Sequence, residues 1–334
     1  MSWFEDLLYT KSKTWIYGAL NPNNTPEKML TKQVGINKEY LFVRLNSMHI
    51  VNVRKGLTTY YAAVNSNITI AHKSGNDASF NVVTSPNKLK ELNANHVENV
   101  LSVNIPLLGP IPYQGGGMSI ELGLFSIKSS DLTKPYLSLL SKLSAAAGVS
   151  FISTALPLAN LIKDGISTVA GGDQLEIGLS TKSDPVKTGY FALIQATSNE
   201  LDLNEVVLSK DYLLFDKAQK PIVDYSYLVY QVYTKPARED WFNIPELKQA
   251  YKKLEDAIHQ KTQTAIKETL MAFKVATYTS HDLIFKDAEK IYASVEAQVQ
   301  KTANESKVFS NTPLASAAPH AALPALHSYA IPFR

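Results

Sequence analysis

The residue types that most often carry chemistry are all here except cysteine, but not in the patterns that chemistry needs. Seven histidines, His49, His72, His96, His259, His281, His320 and His327, are scattered along the chain. No two have the spacing that sets paired imidazoles on one helical face around zinc, and none has carboxylates grouped about it as a metal set. His49 and His72 fall on predicted neighbouring strands and could meet across them, although a histidine satisfied inside a core is the simpler reading. No serine sits in a Gly-x-Ser-x-Gly elbow. Glu239 and Asp240 are adjacent, which suits a solvated face or a helix start. The glycine run Gly115–Gly117 lacks the Lys and Ser or Thr of a phosphate loop, and it precedes a strand pattern where a nucleotide loop precedes a helix. With no cysteine in 334 residues, disulfides, thiol catalysis, cysteine zinc sites and iron–sulfur clusters are excluded together. The sequence therefore predicts no catalytic residues, no cofactor and no metal. An enzyme whose site is assembled from distant residues ranks third among the readings.

Binding surfaces are the better candidates, and three stretches offer them. Tyr225, Tyr227, Tyr230 and Tyr233 crowd into Ile222–Thr234. Tyrosine supplies large contact area with a polar handle, so these four are candidate interaction residues. The competing reading is that tyrosine simply suits a strand.

The second stretch, Leu143–Ile162, runs for twenty residues without a charge between Lys142 and Lys163. At 1.5 Å per residue a helix of that length spans about 30 Å, the thickness of a bilayer core or the width of a small domain. Ala145, Ala146, Ala147 and Gly148 permit close helix approach in either setting. Gly148, Pro157, Asn160 and several Ser and Thr residues weaken a spanning helix, and a buried helical hairpin is the favoured reading. The alternative is a latent membrane-inserting segment, with Phe151, Ile152, Leu156 and Leu158 as its candidate insertion residues.

The third is Ser310–Arg334, which holds four prolines and, apart from Arg334, no charge. Proline forbids a continuous helix. A Pro/Ala-rich tail of this kind is expected to be extended, and either to stay disordered or to thread along a groove of a partner.

The elements that must position these stretches follow from periodicity. Trp3–Leu20 reads as an amphipathic lead-in that packs on the body, closed by the turn residues Asn21–Lys28. Period-two patterns over Tyr40–Val53, Thr59–His72 with a polar break at Asn65–Asn67, and Phe80–Val83 predict strands. Further strands are expected at Leu101–Ile105, Met118–Ile127, Leu175–Leu179, Tyr190–Ala196, Val206–Leu208, Tyr212–Phe215 and Ile222–Thr234, the last as a central strand or a long one at a domain seam. Thr133 as N-cap and Pro135 in the first turn open a helical pair between Met118–Ile127 and Leu175–Leu179. From Pro245, an apolar stripe through Leu247, Tyr251, Leu254, Ile258, Ile266, Leu270 and Phe273 reads as one long helix, and Ile284–Val299 as its partner. The fold class is α+β: a mostly antiparallel sheet or sandwich over 35–235 with an apolar helical insertion at 131–170, a helical hairpin at 241–305 and a tail at 310–334. Residues 1–34 form the lead-in.

Composition bounds the function. Net charge is +3, from 33 basic and 30 acidic residues that are interspersed, so no concentrated positive field exists for a phosphate backbone and nucleic acid is not an expected partner. Met1–Leu20 carries Glu5 and Asp6 where an export signal would be apolar, which, with the missing cysteine, predicts a cytoplasmic protein. The leading expectation is a non-enzymatic interaction protein, a subunit of a larger assembly or a homo-oligomer. The alternative is a membrane-perturbing, toxin-like effector acting through residues 143–162.

Overall fold

The computed structural model describes residues 15–51, 54–55, 58–71, 77–83, 100–128, 175–260 and 263–310. The expected helical insertion at 131–170, the apolar run 143–162 with Phe151, Ile152, Leu156 and Leu158, and the tail beyond Ser310 lie outside these residues. The architecture is α+β, and the chain divides into two compact units, one of residues 1–36 and 41–234, the other of 37–40 and 235–334.

The first unit is built from two antiparallel sheets. One contains β1 (Ile16–Ala19), β2 (Tyr40–His49), β6 (Val100–Pro112), β9 (Gly189–Ile194) and β12 (Tyr227–Lys235) in the order β1-β9-β12-β2-β6. The other contains β3 (Arg54–Lys55), β4 (Thr58–Ile70), β7 (Met118–Lys128) and β8 (Leu175–Ser183) in that order, with β5 (Ala78–Val83) also paired to β4. Alternation dictates how they pack. Leu41, Val43 and Leu45 of β2 and Leu228, Tyr230 and Val232 of β12 share one buried cluster with Ile68 of β4, Ile120, Leu122 and Leu124 of β7 and Ile177 of β8. Each side chain of this kind contributes about 1.5–3 kcal/mol by leaving water, so the shared cluster is what holds the sheets face to face.

The opposite face of the first sheet is buried too. Tyr190, Ala192 and Ile194 of β9 and Tyr227 and Val229 of β12 join Leu20, Val206, Leu208, Leu214 and Ile222 in a second cluster. There the chain forms the small ribbon β10 (Val207–Leu208) and β11 (Leu214–Phe215). A strand covered on both faces must be apolar at successive positions, which is why Leu228, Val229 and Tyr230 run together without a polar break.

The described end of the N-terminal lead-in, Ile16–Ala19, is an edge strand pairing with Phe191–Ile194. Two sequence expectations need correction here. The polar break expected at Asn65–Asn67 is absent: β4 is continuous there, with Asn65, itself buried, and Asn67 on the face opposite Ser66 and Ile68. The Gly/Pro-rich stretch after Ile105 carries β6 on to Pro112. Gly109 makes that possible: its φ is +102°, and a Cβ there would stand 2.4 Å from the Leu41 carbonyl oxygen. Gly115 and Gly116, both at positive φ, then form the turn into β7, and the Tyr113 hydroxyl closes it by donating to the Gly116 carbonyl at 2.7 Å.

The second unit is helical, with α1 (Pro245–His259), α2 (Gln263–Thr279) and α3 (Phe285–Ser310). Pro245 opens α1, where its missing N–H costs nothing, and Glu246 in the first turn complements the helix dipole. The single long helix expected from Pro245 to Phe273 is two helices. The apolar stripe keeps its phase across Ile258 and Ile266, but the residues between them, His259 to Ala265, offer almost nothing to bury. Folding back instead lets Tyr251 of α1 and Phe273 of α2 meet edge to face at 5.8 Å, with Trp241 at 6.1 Å from each.

Candidate functional site

The four tyrosines proposed as an interaction face do not share one exposed surface. Tyr230 points into the cluster between the sheets and Tyr227 into the opposite one, and each is 1% exposed. Tyr230 packs on Phe191 at 5.1 Å and shares a 2.7 Å hydroxyl contact with Tyr17. Burial pushes the Tyr230 phenol well up and that of Tyr227 up to about 12. Tyr225 is half-buried against the second cluster. Only Tyr233 belongs to a polar neighbourhood. Its ring stacks on Phe42 at 4.8 Å, its hydroxyl accepts from Arg44 Nη2 at 3.0 Å, and the Arg44 guanidinium lies 5.4 Å from its centroid. Beside it Gln231 donates to the Glu27 carboxylate at 3.2 Å. This corner can bind through cation, amide and aromatic face together.

His49 is structural. It is fully buried, its Nε2 lies 2.9 Å from the Val223 carbonyl, and its ring packs against Tyr227 at 5.3 Å. Among the described residues no three of His, Cys, Asp and Glu gather as metal ligands.

The helical unit contains a charge cluster that sequence spacing does not reveal. Arg238, with no exposed side-chain surface, donates from Nε to Asp240 at 2.7 Å and from Nη1 to the Asp282 carbonyl at 3.2 Å. Its backbone N–H donates to Asp287 Oδ2 at 3.0 Å. Asp282 and Asp287 are fully buried, and the Tyr40 hydroxyl accepts from the Ile284 N–H at 3.1 Å. Burial, then the Asp287 charge, raises the Tyr40 phenol. The only hint in the sequence was the Asp240 side of the acid pair, and nothing near Arg238 announces that it would be buried. The cluster is a staple between the segment before α1 and the α2–α3 turn. The Ser280 hydroxyl adds a 2.9 Å bond to Glu246 on α1.

The surface best suited to recognition lies on α2. One side of this helix buries Ile266, Phe273 and Thr277. At 100° per residue, Met271, Val275 and Tyr278 fall on the opposite side. Met271 and Val275 are more than half exposed, as is Phe285 at the start of α3. Tyr278 meets Phe285 at 5.8 Å and Tyr292 at 6.0 Å, both edge to face, and Lys274 Nζ sits 4.9 Å over the Tyr292 ring. The Tyr292 hydroxyl donates to Glu296 at 2.8 Å, and burial, with that carboxylate, raises its phenol to about 12. A helix apolar on two faces has one more than its own unit uses, and contiguous exposed apolar surface of this kind marks interaction sites.

No protein family, curated protein or solved structure matches this chain. Among the described residues the fold therefore defines only a class: a unit of antiparallel sheets and a unit of helices.

Proposed function

We propose that this protein is a non-enzymatic, cytoplasmic interaction protein that takes part in a larger assembly, and that it binds through the second apolar face of α2. The observation that carries this reading is the exposed series Met271, Val275 and Tyr278 on α2, a helix whose other side already fills its core, continued by Phe285 at the start of α3. Large aromatic and Met side chains are the types enriched at the centre of protein interfaces. The test is a photo-reactive residue in place of Val275 in the cellular protein. Cross-linking to a defined peptide that is lost in Tyr278→Ala/Phe285→Ala supports the reading, and cross-linking indifferent to that change removes it.

The membrane reading keeps one supporting observation. β7 and β8 pair with each other up to Phe125 and Leu175, so the apolar sequence 143–162 is inserted where a short hairpin turn would otherwise stand. No helix among the described residues is long and apolar enough to cross a membrane. Flotation with liposomes and dye leakage, both abolished by Phe151→Asp or Leu158→Asp in a folded protein, would support it. Protein left unfloated with dye retained counts against it.

A further inference from the structure

The polar corner at the C-terminal end of β12 holds two opposite charges that do not neutralise each other. Gln231 and Tyr233 continue the face of β12 that buries Tyr227 and Val229, two residues apart and so about 7 Å along the strand. Gln231, buried and opposite Tyr190 of β9 in the ladder, donates to the exposed Glu27 carboxylate at 3.2 Å. Tyr233, half-buried, accepts from Arg44 Nη2 at 3.0 Å. Among the described residues neither Glu27 nor Arg44 has an ion-pair partner, and Arg44 Nε is a buried donor without an acceptor. We propose that Glu27 and Arg44 are the two poles of a binding site for a free α-amino acid, Glu27 taking the ammonium group and Arg44 the carboxylate.

Charge, span and surroundings support this reading. A guanidinium without a carboxylate offers N–H donors in the planar fork that a carboxylate fits, and a carboxylate without a cation accepts from an ammonium group. A buried N–H that meets no acceptor is destabilising until one is supplied. A ligand of one sign would leave the other pole unanswered and bring its charge near a like one, whereas a zwitterion answers both. The span suits as well. In an α-amino acid the N–Cα and Cα–C bonds place the ammonium nitrogen about 2.5 Å from the carboxylate carbon. With a contact of about 2.8 Å at each end, such a ligand bridges about 8 Å, close to the strand spacing of the two anchors. Burial, then the Glu27 charge, raises the Tyr190 phenol, which sets that carboxylate over the sheet face. Met29, whose sulfur lies 3.8 Å from Gln231 Nε2, and Phe42, stacked on Tyr233, add apolar surface, so an apolar side chain fits beside the poles.

Isothermal titration calorimetry of the full-length protein with L-leucine, L-methionine and L-phenylalanine tests this. At least one should bind saturably, and its N-acetyl and carboxamide derivatives, each lacking one charge, should bind at least about tenfold more weakly. Glu27→Gln should weaken the free amino acid by a similar factor yet leave the N-acetyl derivative as it was, since that ligand has no ammonium group to lose. Arg44→Gln should weaken the free amino acid too and leave the carboxamide derivative as it was. A general loss of structure would weaken all three ligands together, so this selectivity reports the poles themselves. Glu27 is exposed, and its variant carries the test alone if Arg44→Gln does not fold. Absence of binding by all three amino acids, or binding indifferent to Glu27→Gln, overturns the proposal. So does an N-acetyl or carboxamide derivative that binds as tightly as the free amino acid, which would reduce the corner to a site for one charge.

Discussion

The hydroxyls of Tyr17 and Tyr230 meet at 2.7 Å across the first sheet, reaching over β9 to tie edge strand β1 to central strand β12. Between them Phe191 stacks on both rings, 6.3 Å from Tyr17 and 5.1 Å from Tyr230. A buried hydroxyl pair is worth about 1 kcal/mol when made and costs about 1–3 kcal/mol when one partner is left alone. Tyr230→Phe should therefore destabilise the protein by roughly 1–3 kcal/mol in urea unfolding. Adding Tyr17→Phe should cost little more, because the orphaned hydroxyl is gone. Additive losses in the double-mutant cycle would show that the two hydroxyls are not coupled.

Arg238 offers the largest single effect. Replacing it with Met leaves Asp282 buried and Asp240 half-exposed without the guanidinium that faces both, a change expected to cost about 3–5 kcal/mol. Arg238→Lys keeps the charge but loses the fork, and should fall between the two. A loss below about 1 kcal/mol for Arg238→Met, the range of an exposed ion pair, would mean that the cluster does not staple the helical unit.

The pairing of β7 with β8 predicts that the sequence between them is separable from the sheet. Gly123 lies opposite Gly178 and Leu122 opposite Leu179, so the ladder is complete without residues 131–172. Replacing those residues with a short Asn-Gly turn should keep the strand signal in circular dichroism and lower Tm by no more than about 4 °C, the shift that 1 kcal/mol makes in a domain of this size. Loss of cooperative unfolding would instead make the insertion part of the core.

Alkaline pH should unfold the first unit through its tyrosines. Burial raises the phenols of Tyr17, Tyr227 and Tyr230 above the ordinary 10.0, that of Tyr227 to about 12. In the unfolded chain these groups release protons near pH 10, before the folded protein does. Their contribution is thus intact below pH 10 and is lost as pH rises from 10 through 12. Phenolate absorbance should rise in two steps, exposed tyrosines first and the buried ones together with unfolding. A single smooth titration with the fold intact would contradict their burial.

Several elements were legible because local chemistry and tertiary packing agreed. Ile222–Thr234 read as a central strand or a long one at a domain seam, and the strand found, Tyr227–Lys235, begins five residues later and is third of five in its sheet, with Tyr227 to Val232 buried. Met118, Ile120, Leu122 and Leu124 alternated in sequence and all four are in the core. Where the reading went astray, period alone was a poor guide. The stripe through Ile258 and Ile266 has the same phase in one helix or two, and Ile16–Ala19 is too short to display a period at all. Asn65 and Asn67 looked like an interruption because polar side chains on one face of a strand resemble a turn when the facing strands are unknown.

The candidate site was less visible still. Met271, Val275 and Tyr278 were not singled out, since a sequence shows that a side chain is apolar but not which apolar face finds a neighbour. Arg238 gave no local sign of burial, because its partners Asp282 and Asp287 come from residues more than forty positions away. By itself, the sequence determined the α+β class, most strand positions and the absence of thiol chemistry, all of which depend on residue type and near-neighbour spacing. Only the tertiary structure decided which tyrosines are core, where the helices break and which apolar face is left uncovered. Those depend on contacts between residues far apart in the chain, and burial energy is settled only when they meet.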